Sequence, residues 1–145
     1  MAASTPGPIN MHASAVAFGS TGLLILGASG RGKSSLTLDL MSRGACLVAD
    51  DRVILTPDLN GGLRMTAPPN LEGLIEARGI GILAADQAPA MAVWAVTLDE
   101  VETERLPERH TTVIAGVTVP LLRKVESPAF PAMLCALMTG GRVTP

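Results

Sequence analysis

Leu23-Leu24-Ile25-Leu26-Gly27-Ala28-Ser29-Gly30-Arg31-Gly32-Lys33-Ser34 decides the fold. A short aliphatic strand runs into an octet that fits G-x-x-x-x-G-K-[ST], and from Lys33 the pattern turns helical, with Leu36, Leu40 and Met41 at three- to four-residue spacing and Gly44 as a stop. Gly27, Gly30 and Gly32 allow the backbone to fold around phosphate with its amides inward, and the helix that follows adds partial positive charge. Lys33 is the point charge for β- and γ-phosphates, and the Ser34 hydroxyl fits a Mg²⁺ coordination position. Ala28, Ser29 and Arg31 complete the loop, Arg31 as a candidate contact to phosphate or to a protein partner. The competing reading is an ordinary glycine-rich turn, and the agreement of pattern, strand and helix favours the phosphate loop.

Beyond the helix, Cys46-Leu47-Val48-Ala49 is continuously apolar, as in a strand buried on both faces, and it ends in Asp50-Asp51. Strand, glycine loop, helix and strand predict a βαβ unit, with both carboxylates on the sheet edge that carries the loop. One carboxylate can organise Mg²⁺ and the other can take a proton from an incoming hydroxyl. A solvated turn is the plainer alternative.

Upstream, Ala13 to Phe18 and Leu23 to Leu26 read as a hairpin around Gly19-Ser20-Thr21-Gly22, and residues 1–10, with Pro6, Gly7 and Pro8, read as a flexible lead-in. Downstream, residues 52–55 and 63–66 flank a turn, and Pro68-Pro69 is a stop. Asn70 reads as the cap of a short helical turn, and Gly79 and Gly81 suggest close backbone packing. Met91 to Leu98 is a further strand, Asp99 to His110 a solvated charged loop, Thr111 to Ile114 and Val117 to Val119 two more strands, and Ser127 onward a terminal helix delayed by Pro131. The expected fold is α/β: one domain over residues 11–145, with a mixed, mostly β central sheet and few helices.

Composition narrows the function classes. Of 145 residues 48% are hydrophobic, 17% are charged and three are aromatic, Trp94, Phe18 and Phe130, so the core is aliphatic. A net charge of −2 offers no basic footprint for nucleic acid or an anionic membrane surface. Cys46 and Cys135, each among aliphatic residues, read as small hydrophobes in a reducing compartment. With no cation before Arg31 and no apolar run of ~20 residues, a cytoplasmic, non-membrane protein is expected.

Taken together, these segments resemble the catalytic domain of HPr kinase/phosphorylase. The resemblance rests on His12 fifteen residues before the loop, on the octet, on Arg43-Gly44 followed by Leu47-Val48-Ala49-Asp50-Asp51, and on Ala67-Pro68-Pro69 leading to Ile75-Glu76-Ala77-Arg78-Gly79-Ile80-Gly81-Ile82. Val117-Thr118-Val119-Pro120 is similar to a later strand of that family. The resemblance implies an HPr kinase/PEP carboxykinase-like fold and ATP-dependent phosphorylation of a serine on an HPr-like phosphocarrier, with phosphorolysis in bifunctional members. Carried over by position, Asp50 is the base, His12 and Lys33 belong to the catalytic site, and Ser34, Asp51 and Glu76 organise Mg²⁺. A homo-oligomer, often of six subunits, is also implied. The glycine- and arginine-containing loop of long members is not matched: after Pro120 the chain reads Leu121-Leu122-Arg123-Lys124-Val125-Glu126, with Arg123 and Lys124 as candidate replacements.

Two other functions fit a phosphate loop. A small-molecule P-loop kinase needs an Arg-rich lid, and Glu102 to His110, though it holds Arg105 and Arg109, is acidic on balance. A nucleotide-binding regulatory module without turnover needs one metal-organising carboxylate and no second one placed for base chemistry.

Overall fold

The computed structural model describes residues 7–144, which form eleven strands and two helices. Nine strands make a mixed sheet containing the path β1(Ile9–Met11), β5(Val53–Pro57), β6(Leu63–Thr66), β9(Ala90–Val101), β3(Thr21–Leu26), β2(Ser14–Phe18), β4(Cys46–Ala49). The other two are β10(His110–Ile114), paired with β11(Val117–Lys124), which runs parallel to β9. A separate hairpin joins β7(Leu74–Ala77) to β8(Gly81–Ala84). The α/β class, the mixed sheet and the scarcity of helices are as the sequence predicts.

The βαβ unit needs one correction. β3 and β4 run in the same direction but do not pair, because β2 lies between them, antiparallel to both. β2 reaches this central position through a two-residue hairpin with β3, Phe18 opposite Thr21. One sheet edge therefore collects the C-terminal ends of β3, β4, β9 and β11 and the N-terminal start of β2. Five sequence-distant segments converge there.

Burial on both faces explains the aliphatic runs. Leu23 and Ile25 of β3 and Val16 of β2 face α1(Lys33–Ser42) and α2(Phe130–Gly140), packing with Leu36, Leu40, Phe130 and Leu134. Leu24, Ala15 and Ala17 alternate to the opposite face, against Leu55, Leu63, Met65 and Val119. α1 ends in a Schellman motif: Ala45 N–H donates to Leu40 O and Gly44 N–H to Met41 O, with Gly44 at φ 108°. Leu40 is fully buried at the centre of the helical face. Leu40→Ala should cost about 2–5 kcal/mol of unfolding free energy, measured by denaturant titration, because a site walled by strands and helices collapses only partly.

Other expectations shift locally. Residues 1–6 of the lead-in lie outside the described residues, and Ile9–Met11, instead of continuing a loose segment, pairs with β5. Asn70 caps no helix; it occupies a left-handed turn at φ 72° before β7. Gly79 and Gly81 serve the β7–β8 turn at φ 93° and 138°, and nothing lies within 4 Å of a side chain built there, so they answer backbone conformation and not close packing. Val101 still belongs to β9, and the Glu102 carboxylate accepts the N–H groups of Glu104 and Thr103, which holds its pKa below the ordinary carboxylate range. Residues 121–124 prolong β11 as strand. Cys46 and Cys135 are free and half-buried, and burial pushes the Cys135 thiol up.

Candidate functional site

Gly27-Ser34 leaves the end of β3 and wraps into the start of α1. Gly27, Gly30 and Gly32 take φ 155°, 82° and 95°, conformations that L side chains rarely adopt. α1 has neither a side-chain cap nor an acidic residue in its first turn, so no side chain caps its first amides and no carboxylate opposes an anion in that turn. Lys33 is buried, and its Nζ donates to Gly27 O at 2.6 Å and Ala28 O at 3.1 Å, drawing the loop closed around the ammonium.

The two adjacent carboxylates have different surroundings. Asp50 continues the buried register of β4 and is 7% exposed; its Oδ1 accepts Ser14 Oγ at 2.8 Å and Ser34 Oγ at 2.9 Å, and Oδ2 lies 3.2 Å from Ser34 Oγ. The chain then reverses at Asp51, whose φ of 69° is unusual for a residue other than glycine, although aspartate tolerates it better than most. This turn sends the Asp51 carboxylate into solvent, 70% exposed, with Oδ1 3.0 Å from His12 Nε2. Ala13 N–H donates to Asp51 O, fixing the start of β2 against the turn.

A cleft of about 370 Å³ opens in front of these groups. His12, the phosphate-loop residues Ser29, Gly30, Gly32, Lys33 and Ser34, and Asp51, Glu76 and Arg78 line it together. Glu76 and Arg78 arrive from the β7–β8 hairpin, where alternation buries Ile75 and Ala77 and leaves Glu76 and Arg78 on the outer face. The hairpin is anchored through Ala88 N–H to Leu47 O and a bridge between Leu47 and Gln87. Of the residues expected from sequence to be catalytic or to hold metal, only Asp50 stands behind this cleft wall, reached through Ser34 and Ser14, and Gly27, Ala28 and Arg31 of the loop do not line the cleft.

Two polar residues of the site escape sequence reading. Ser14 supplies the second hydroxyl on Asp50; its one signal is a lone polar side chain inside Ala13-Ser14-Ala15-Val16. Asp99, expected in a solvated loop, lies in β9 two residues after Thr97, which is opposite Leu26. Its carboxylate accepts Ala28 N–H at 3.0 Å and lies 3.5 Å from Arg31 Nε, pinning the loop from the neighbouring strand.

The residues present fit a nucleotide with its metal. Mg²⁺ keeps several waters and is held by one or two protein oxygens plus substrate phosphates, and the Ser34 hydroxyl against the Asp50 carboxylate beside open loop amides is such a donor set. Among the described residues, no cluster of three or more His, Cys, Asp or Glu forms a metal cage of its own.

The HPr Serine kinase C-terminal domain family matches residues 6–123. The chain is 36% identical over 132 residues to an HPr kinase/phosphorylase of Limosilactobacillus reuteri, covering 82% of this chain and 40% of that protein. It is 38% identical over 135 residues to one from Chlorobium phaeobacteroides, covering 83% and 41%. The chain thus spans about two fifths of the length of these curated relatives. Among solved structures, the Hpr(Ser) kinase/phosphatase from Coxiella burnetii is similar with a TM-score of 0.73 and 26% identity, over 89% of this chain and 87% of that one.

Proposed function

Since this chain belongs to the HPr Serine kinase C-terminal domain family, we propose that it transfers the γ-phosphoryl group of ATP to a serine of an HPr-like phosphocarrier protein. The observation that carries this reading is one cleft lined by a phosphate loop, by a solvent-facing Asp51 beside His12, and by Glu76 and Arg78. Lys33, now on loop carbonyls 2.6 and 3.1 Å away, is positioned to exchange them for β- and γ-phosphate oxygens.

The proposed division of labour between the aspartates reverses the one carried over from sequence. Asp50 is buried and committed to two serine hydroxyls, one of them the Ser34 hydroxyl, which suits a carboxylate that orients a metal ligand. Asp51 is open to the cleft and bound only at one oxygen by His12, which leaves an oxygen to accept the proton of an incoming hydroxyl. His12 holds that carboxylate in orientation. Ser34, backed by Asp50, and Glu76 on the cleft wall would hold Mg²⁺, which would supply charge neutralisation for the transfer. Because the transition state of phosphoryl transfer is loose, positioning and charge supply most of the acceleration and proton transfer a smaller part.

The same reading places the protein in the cytoplasm as a self-associating enzyme. Support for self-association comes from apolar side chains left in solvent, such as Ile80 at 81%, Ile82 at 64% and Val113 at 66% exposed. No helix among the described residues is long and apolar enough to cross a membrane. Incubation with ATP, Mg²⁺ and a purified HPr-like protein, followed by mass spectrometry of the acceptor, should show one added phosphoryl group on serine. Bound ATP with an unmodified acceptor would favour a regulatory module without turnover.

A further inference from the structure

Asp99 grips the phosphate loop from behind. Ser29, Gly30, Gly32, Lys33 and Ser34 line the cleft, and Ala28 and Arg31 do not. Those two are the loop residues that Asp99 reaches: its Oδ1 accepts Ala28 N–H at 3.0 Å and lies 3.5 Å from Arg31 Nε. A ligand entering the cleft therefore needs to break neither contact.

The end of β9 is shaped to hold the carboxylate there. Thr97 stands opposite Arg123, and Lys124, the next residue of β11, stands opposite Val101, so Leu98, Asp99 and Glu100 bulge out of the ladder. On the other side, pairing with β3 stops at Leu26 and Thr97. A bulge of this kind re-aims a side chain beside a site. Asp99 N–H donates to Thr97 Oγ1 at 3.2 Å, which fastens the bulge to a buried residue. Gly27 sits directly against it: a Cβ built on Gly27 would stand 3.2 Å from Leu98 Cβ and 3.7 Å from Asp99 Oδ1.

Two ties meet at Ala28. Its carbonyl accepts Lys33 Nζ at 3.1 Å, and its N–H goes to Asp99. Exchange of Gly27 O and Ala28 O for phosphate oxygens, as proposed above for Lys33, removes the inner tie when the loop must keep its shape around the phosphates. The outer tie stays. Resting on that nucleotide reading, we infer that Asp99 is a positioning residue for the phosphate loop, whose bond to Ala28 N–H keeps the loop closed once Lys33 has turned to the nucleotide. Magnitudes single out this bond: a carboxylate on a backbone N–H is charge-assisted, whereas the Arg31 contact, with side chains 59% and 45% exposed, is a surface pair that contributes little.

Two variants test the assignment. Asp99→Ala removes the acceptor, while Asp99→Asn keeps an oxygen for Ala28 N–H and removes the charge beside Arg31. Calorimetric titration of the full chain with ATP and Mg²⁺ should find Asp99→Ala about five- to twentyfold weaker than wild type and Asp99→Asn within about threefold. Without nucleotide, the thermal midpoint of both variants should stay within about 3 °C of wild type, because Lys33 still ties the loop. An asparagine variant as weak as the alanine one overturns the inference, since the effect would then follow the charge beside Arg31. A larger drop of the nucleotide-free midpoint in Asp99→Ala also overturns it, by making Asp99 a support of the whole fold. A wild-type chain that binds no ATP would sink the nucleotide reading and this inference with it, whereas wild-type affinity retained in Asp99→Ala would sink this inference alone.

Discussion

Asp51→Asn is expected to bind ATP within a few-fold of wild type and to slow phosphoryl transfer by about 10²- to 10⁴-fold, the range for loss of a positioned general base. The substitution keeps the size of the side chain and an oxygen 3.0 Å from His12 Nε2, but removes the charge that draws the serine proton. Single-turnover transfer at saturating ATP and Mg²⁺ separates this chemical step from binding. Asp50→Asn is the informative contrast. Its effect should fall on metal and nucleotide affinity, because Asp50 acts through the Ser34 hydroxyl 2.9 Å away, and raised Mg²⁺ should restore part of the rate. If Asp50→Asn were inactive at saturating metal while Asp51→Asn transferred at a near-normal rate, the base would be Asp50, as the family resemblance read from sequence implies.

The proposed exchange of roles between the two aspartates rests on information that the sequence does not carry. Two adjacent acids at a strand end carry the same composition signal, and what separates them is backbone: Asp50 is still in the buried register of β4, whereas Asp51 sits at φ 69° and turns outward. The phosphate loop was legible because all its information is local, eight residues between an aliphatic strand and a helix. The β2–β3 hairpin and the ends of β3 and β4 were legible for the same reason, whereas β9 and β11 run on past their expected ends. Strand order was not, since nothing in Ser14–Phe18 announces that it will pair with Cys46–Ala49 as well as with β3.

Asp99 makes the same point for the site. In sequence it opens a charged stretch and reads as solvated. In the fold, the parallel register of Leu26 with Thr97 carries it to the first turn of the phosphate loop, where it holds Ala28 N–H and faces Arg31. Parallel pairing across roughly seventy residues is a tertiary event that leaves no local trace. Glu76 and His12, in contrast, were found through the family resemblance and not through their own residue patterns. A histidine beside an apolar strand and a Glu-x-Arg turn have ordinary structural readings, and only convergence on one cleft gives them a shared purpose.

Lys33→Ala should abolish most nucleotide binding while leaving the fold intact. The ammonium donates to Gly27 O and Ala28 O and, among the described residues, is the one lysine or arginine that is buried. Hydrogen bonds to a charged group contribute about 1.5–3 kcal/mol, so the loss corresponds to about a 10- to 150-fold weaker affinity for ATP. Lys33→Met separates charge from packing, since its thioether chain refills the apolar path of the lysine stem and should spare stability without restoring binding. Lys33→Arg keeps the charge but brings a planar, wider head into a loop closed to 2.6 Å around a compact ammonium, and should bind nearly as poorly as the alanine variant. Thermal unfolding with and without ATP and Mg²⁺ reads all three at once. A ligand that binds only the native state raises stability by RT ln(1 + [L]/Kd), so wild type should show an ATP-dependent rise in Tm that each variant largely loses. A full wild-type rise in Lys33→Ala would mean that the loop grips nucleotide through its amides alone.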